Sequence, residues 1–351
     1  MNPLAARNAR QIVPRIARLT NRSVISVTGS QAPSFLNGVL AASVTEVKPF
    51  YSAILNAQGR VLHDLFAYTT TAEDGRRGFL LEFDNQQAEG TPLLTMLKRY
   101  VLRAKVKIRD VSGEYDVWAA WDDSKDASWD IERQWRWARS GAIEPMWDNS
   151  PEWPWGIGDG IIRDRRAIGM GRRLLVRKGD TPQEGSSSDP GNADDYLRHR
   201  LLTGIPEGSL DITPGHAFPM DCNLDVMGAL DFRKGCYVGQ ELTVRTYHNG
   251  IVRKRILPVT IQDASNDVLS ADLDIRPRVV SESSSRGPRP RGGGKLLSSH
   301  SGVGLALLRL EHVEATLRGD LVLELESPSG ERRIVSPRWP AWWPKEVPSS
   351  S

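Results

Sequence analysis

Short apolar runs of strand period, broken by single helical runs at irregular intervals, constrain this chain more than any other feature. SVISV (23–27) carries apolar Val24, Ile25 and Val27. A Gly-Ser turn and a helical pattern through Phe35, Leu36, Val39 and Leu40 come next. FYSAILNAQGRVLHDLFAYTT (50–70) reads as two strands about a turn at Asn56–Gly59, and GFLLEFD (78–84) as a further strand. A helix is expected from Gln86 to Tyr100, then strands in AKVKIRDVS (104–112) and YDVWAAW (115–121). No regular βαβ repeat emerges, which favours an α+β architecture. After Ile251 the runs RILPVTI, GVGLALLRL and LVLELE, separated by turn residues, fit a small β-barrel or sandwich.

With 351 residues and 39% apolar content, the chain can bury two or three packed units. It reads as a soluble globular protein, since no run of about 18 apolar residues supports a transmembrane helix. A formal charge of +3 does not imply nucleic acid as a partner. The charge is unevenly placed, however: Met1 to Thr45 holds no Asp or Glu, while Arg7, Arg10, Arg15, Arg18 and Arg22 are spread among Ala, Leu, Ile and Ser. That composition resembles a mitochondrial transit peptide or its remnant; a basic surface helix leading into a strand is the alternative. Eight of the eleven tryptophans lie from Trp118 to Trp155 and are expected to pack, with stacking on a ligand the alternative. RKGDTPQEGSSSDPGNADD (177–195) and SESSSRGPRPRGGGK (281–295) are expected to be mobile, solvated loops.

The chain has two cysteines, Cys222 and Cys236, too few for a disulfide framework, and both are expected to be thiols in a reducing compartment. Cys222 fits a buried structural role. Cys236 lies in DFRKGCYVGQELTVRTYH (231–248), between Gly235 and Gly239 and just after Arg233 and Lys234. The two cations should lower its pKa if their side chains approach it. A free cysteine is more often simply packed in a core, and that is the alternative to three roles that could use an exposed thiol: nucleophile, redox sensor or metal ligand. A nucleophile needs a base, for which His199, His216 and His248 are candidates. As a metal ligand Cys236 lacks local company, since the chain has no CxxC or HxxxH. An iron–sulfur cluster takes four ligands, so Cys236 would be one of them and a partner or second copy would supply the rest.

KGCYVGQE (234–241) resembles the signature of the YgfZ-type proteins, folate-binding relatives of the glycine-cleavage aminomethyltransferase that serve in iron–sulfur cluster assembly. Its continuation LTVRTYHNGIVRKRILPV resembles their mitochondrial branch, required for maturation of [4Fe–4S] proteins. SFLNGVLAASV, ILNAQGRVLHDLFAY, YLRHRLLTGIPEG and PMDCNLDVMGALDFRKGCY occur in the order the family has them. The resemblance implies a GcvT-like fold of three domains around a central cleft, the last a β-barrel. It divides the chain into a basic segment 1–20, N-terminal and middle domains over 21–250 with insertions near 120–156 and 178–195, and a barrel over 251–345 with an insertion near 281–295.

By matching positions, Cys236 is the family's cysteine, flanked by Lys234, Gly235, Tyr237, Gly239, Gln240 and Glu241. The resemblance implies a mitochondrial matrix assembly factor, monomeric when alone. Its partner would be an A-type iron–sulfur carrier, with Cys236 helping to bridge a [2Fe–2S] cluster between them. It also implies a tetrahydrofolate pocket, for which Arg60, Asp64, Arg200 and Tyr237 are the candidates. In the alternative reading the chain is a tetrahydrofolate-dependent one-carbon transferase with Asp64 as acid or base. Two departures weigh against that. His63 replaces one member of the transferases' acidic pair, and Leu202 stands where their folate-contacting glutamate is expected.

Overall fold

The computed structural model describes residues 14–71, 75–86, 91–121, 133–147, 152–264, 269, 271–280, 292–327 and 330–345. Residues 1–13 of the basic segment, 122–132 and 148–151 of the tryptophan-rich stretch, and 281–291 of the second polar loop lie outside them. Among the described residues no helix is long and apolar enough to cross a membrane.

Two five-stranded sheets and a closed barrel make up an α+β body. The first sheet runs Phe50–Leu55, Val61–Thr71, Arg77–Asp84, Arg22–Thr28, Lys107–Asp110, with antiparallel neighbours throughout. Its strands other than Lys107–Asp110 are largely buried on both faces, Phe50–Leu55 at every position, and helices Ala32–Val39 and Leu93–Val101 bury apolar side chains in the same core, while the edge strand Lys107–Asp110 buries only Ile108. The second helix starts well after Gln86, at Leu93, because Pro92 fixes the backbone at the N-cap.

The second sheet runs Ile161–Arg163, Arg172–Arg177, Tyr115–Trp121, Arg15–Arg18, Asp189–Pro190. Two expectations are corrected here. Residues 15–18 of the basic segment are a sheet strand with Ile16 and Ala17 buried, so this part belongs to the folded body. The polar stretch 177–195 is not all loop: Asp189–Pro190 pairs in parallel with Arg15–Arg18, and Asn192 and Asp195 form a capping box on helix Ala193–Thr203.

The barrel runs Lys254–Ile261, Val303–Arg309, Gly294–His300, Leu273–Val279, Leu321–Glu326, Arg332–Pro337, and closes by pairing Val259–Ile261 with Val335–Pro337. Inward Leu257, Val259, Ile275, Leu308, Leu323 and Val335 fill it. Helix Leu310–Arg318, which the sequence reading did not separate from the strand before it, packs on the barrel. The described tryptophans pack: Trp121 and Trp155 are core residues, and Trp153 donates its indole N–H to the Pro49 carbonyl at 2.5 Å.

Where the two sheets meet lies a buried ionic network. Glu82 accepts from Arg22 of its own sheet at 2.8 Å and from Arg173 of the other at 2.6 Å. Glu207 pairs with Arg166 at 2.8 Å and Arg173 at 3.3 Å, and Arg166 pairs with Asp164 at 2.7 Å. Burial alone would raise Glu207, but Arg173, Arg166, Arg22 and Arg200 outweigh it and hold the carboxyl well below the usual range. Removing one member strands the others without water. Glu82→Gln is expected to destabilise the fold by about 3–5 kcal/mol in urea unfolding. By contrast Arg318→Ala, which breaks an exposed pair with Asp320 at 3.0 Å, is expected to cost less than about 1 kcal/mol.

Candidate functional site

Cys236 is exposed, and its loop is pinned on both sides to the end of helix Ala32–Val39. On the N-terminal side the Lys234 ammonium donates to the carbonyls of Asn37, Leu40 and Ala42 at 2.7, 2.8 and 2.8 Å. Those carbonyls sit at a helix C-terminus, where backbone oxygens lack intrahelical donors and a cation is favoured. Burial nonetheless pulls the Lys234 pKa down to about 8, against the opposing pull of Asp231. On the C-terminal side the Val238 N–H donates to the Gly38 carbonyl at 3.2 Å. The cysteine is at the crest between these two anchors.

Below the loop the turn of residues 56–60 packs against residues 239–242. Gly239 adopts φ 81°, and a Cβ there would lie 2.3 Å from the Asn56 carbonyl oxygen and 2.7 Å from the Leu55 Cβ. Gly59 is matched to it, since its own Cβ would lie 3.0 Å from the Gly239 carbonyl oxygen. Glycine is required at both positions by close backbone approach as well as by φ. Gln240 begins helix Gln240–Asn249 and accepts from the Tyr237 N–H at 3.2 Å, while Gly235 and Glu241 are exposed. The Tyr237 ring is buried under the Lys234 ammonium at 4.9 Å, and burial pushes its phenol up to about 12.

Neither expected cation is directed at the thiol. Arg233 pairs with Glu144 at 3.2 Å, and the Lys234 charge is bound by the three carbonyls. Their shared role is to fix the loop. None of the candidate bases is hydrogen-bonded to Cys236: His199 contacts the Gly169 carbonyl at 3.0 Å and stacks on Trp121, while His216 and His248 are exposed. Among the described residues no cluster of three or more His, Cys, Asp and Glu could hold a metal, so Cys236 has no local co-ligand set.

The four candidate folate residues have different partners. Arg60 lies beside the loop-supporting turn, donating to the His216 carbonyl at 3.2 Å and stacking on Phe218 at 4.6 Å. Tyr237 is buried beneath the cysteine loop. Asp64 and Arg200 instead converge on residues 205–211: Asp64 accepts from the Gly208 N–H at 3.0 Å and from the Tyr51 hydroxyl at 3.1 Å, and Arg200 pairs with Asp211 at 2.6 Å. Burial raises the Asp64 pKa, although Arg22 and Arg166 oppose it. His63 is buried against Phe83, and desolvation lowers its pKa to about 4, so it is neutral near pH 7. Asp64 and Arg200 are thus buried structural groups, and Leu202 offers no polar edge. Both Asp64 oxygens and the Arg200 Nη1 are engaged by protein groups, which weakens the fit to a pterin.

The sequence reading missed the ionic network. Its signal was Glu82, a carboxylate flanked by Leu81 and Phe83 within the strand run GFLLEFD. A charge on a strand buried on both faces requires a buried counter-charge.

The chain matches the family model of the CAF17 C-terminal β-barrel domain over residues 253–345. It resembles the crystal structure of glycine cleavage system aminomethyltransferase T from Bartonella henselae with a TM-score of 0.59 over 93% of this chain and 86% of that one. At 15% identity this is a likeness of fold alone. Fold and site together define an aminomethyltransferase-like body bearing an exposed motif cysteine on a pinned loop. The iron–sulfur cluster assembly factor IBA57 homologue, mitochondrial, of Cryptococcus neoformans is 40% identical over 86% of this chain and 85% of its own length. Those of Coccidioides immitis and Pyricularia oryzae are 39% and 41% identical over 84% and 89% of this chain. The chain belongs to this IBA57 family of mitochondrial iron–sulfur cluster assembly factors.

The two cysteines are opposite cases: Cys236 is exposed, whereas Cys222 is 3% exposed and burial pushes its thiol well above the ordinary value. Maleimide treatment of the native protein is expected to label one thiol, mapped by peptide mass spectrometry to Cys236, and two thiols after denaturation. Labelling of native Cys222, or none at Cys236, would contradict the placement.

Proposed function

We propose that Cys236 supplies one thiolate to a [2Fe–2S] cluster held jointly with an A-type carrier protein in the mitochondrial matrix, as a step in maturation of [4Fe–4S] proteins. The observation that carries this reading is an exposed thiol at the crest of a loop fixed at Lys234 and Val238. A ligand must be held in place before the metal arrives, and the two anchors do that without covering the sulfur. The thiol needs no neighbouring base, because a coordinating metal displaces the thiol proton itself. One cysteine with no co-ligand cluster among the described residues contributes a single position of the four that such a cluster takes. The partner contributes the others. The cluster is cargo in this account, and the aminomethyltransferase-like body is the frame that presents the thiol.

Anaerobic reconstitution of this protein with the carrier tests the ligand role. Wild type is expected to give the absorption and circular dichroism of a shared cluster, and Cys236→Ala to lose it while remaining folded. An unchanged spectrum and cluster lifetime in the variant would overturn the assignment.

A further inference from the structure

A groove of about 520 Å³ begins at the cysteine loop and follows the outer face of helix Ala32–Val39. One wall is that helix, through Phe35, Gly38 and Val39; the other is Tyr100 and Arg103; Val238, two residues from Cys236, closes one end. The walls are tied together at their base, because the Gln31 side chain accepts from the Lys105 N–H at 2.6 Å. The groove is therefore preformed. Its two sides differ in charge: residues 23–45 carry no charged side chain, whereas residues 91–109 carry Lys98, Arg99, Arg103, Lys105, Lys107 and Arg109 and no acid. The first five of these make no ion pair among the described residues, and Arg109 reaches Glu114 at 3.7 Å. Leu102, in the middle of this basic stretch, is 88% exposed.

We infer that this groove is the docking site of the cluster-sharing partner, which seats an apolar side chain between Phe35 and Tyr100 and turns a cluster of carboxylates toward Arg103 and its neighbours. The inference rests on the proposed function for the partner's identity. Continuity carries it, since a protein that completes a cluster on Cys236 must cover the adjoining surface, and Val238 belongs to both loop and groove. Charge carries it further: a like-charged row beside a concave apolar floor favours an acidic partner, and a four-thiolate [2Fe–2S] unit is itself an anion. A flat anionic membrane would meet the cations but not fill the groove.

Two variants away from the sulfur test it. Gly38 lies within a helix on the groove wall and a Cβ there meets nothing within 4 Å, so Gly38→Trp is expected to place its ring in the groove. Arg103→Glu reverses the rim. Association of each with the metal-free A-type carrier is followed by stopped-flow at low and high salt. Gly38→Trp is expected to weaken binding by about tenfold or more at both salts. Arg103→Glu is expected to slow association about tenfold at low salt, with the difference fading at high salt. Arg332→Glu, an exposed cation on the barrel, serves as control and should change neither. Wild-type association by both groove variants overturns the inference. So does weakened binding only to phosphatidylglycerol vesicles, which would make the face a membrane surface. Cys236→Ala separates the two proposals: retained docking with loss of the cluster supports both, whereas a retained cluster removes the ligand role and leaves the groove to be judged by association alone.

Discussion

The carboxylate of Glu82, shared between Arg22 and Arg173, is the contact on which the rest of the body depends. It joins a strand of one sheet to a strand of the other through groups with almost no access to water. Glu207, Arg166 and Asp164 extend the joint, and Arg200 with Asp211 carries it to the barrel, where Ser298 donates to Asp211. Apolar packing alone would let the sheets slide, because dispersion contacts are non-directional; charge-assisted bonds of fixed geometry do not. Specific placement of the sheets matters because the cysteine loop is anchored to elements of the first one.

That anchoring explains how a fold shared with an aminomethyltransferase can serve another purpose. Asp64, a residue expected from the sequence to serve a folate pocket, holds the N–H of Gly208, and Arg200 holds Asp211. The exposed thiol is that of Cys236, whose loop is held by Lys234 on the backbone carbonyls of residues 37–42 and by the close approach of Gly239 to the turn at Asn56.

Much of this was legible in the sequence. The bounded apolar runs in residues 50–84 and the turn at Asn56–Gly59 marked the first sheet's three-strand meander: strands buried on both faces show no alternation, but their length and flanking turn residues can be read. The cysteine motif and its glycines stood out as well. The targets of Lys234 did not, because its partners are backbone carbonyls nearly two hundred residues earlier and a carbonyl carries no residue identity. Asp189–Pro190 was hidden for a related reason: a two-residue parallel pairing has no period. The placement of Asp64 and Arg200 was also out of reach, since sequence motifs list side chains without saying which atoms their neighbours have already engaged.

The central claim is that iron is bonded to the sulfur of Cys236. The most direct measurement uses this chain labelled with β-deuterated cysteine, joined anaerobically to an unlabelled carrier, and reduced to the paramagnetic cluster. Deuterium electron–nuclear double resonance is expected to show cysteine β-deuteron couplings, absent in labelled Cys236→Ser. A reduced cluster with no deuterium coupling from the wild-type chain would place all of its ligands on the partner and contradict the account.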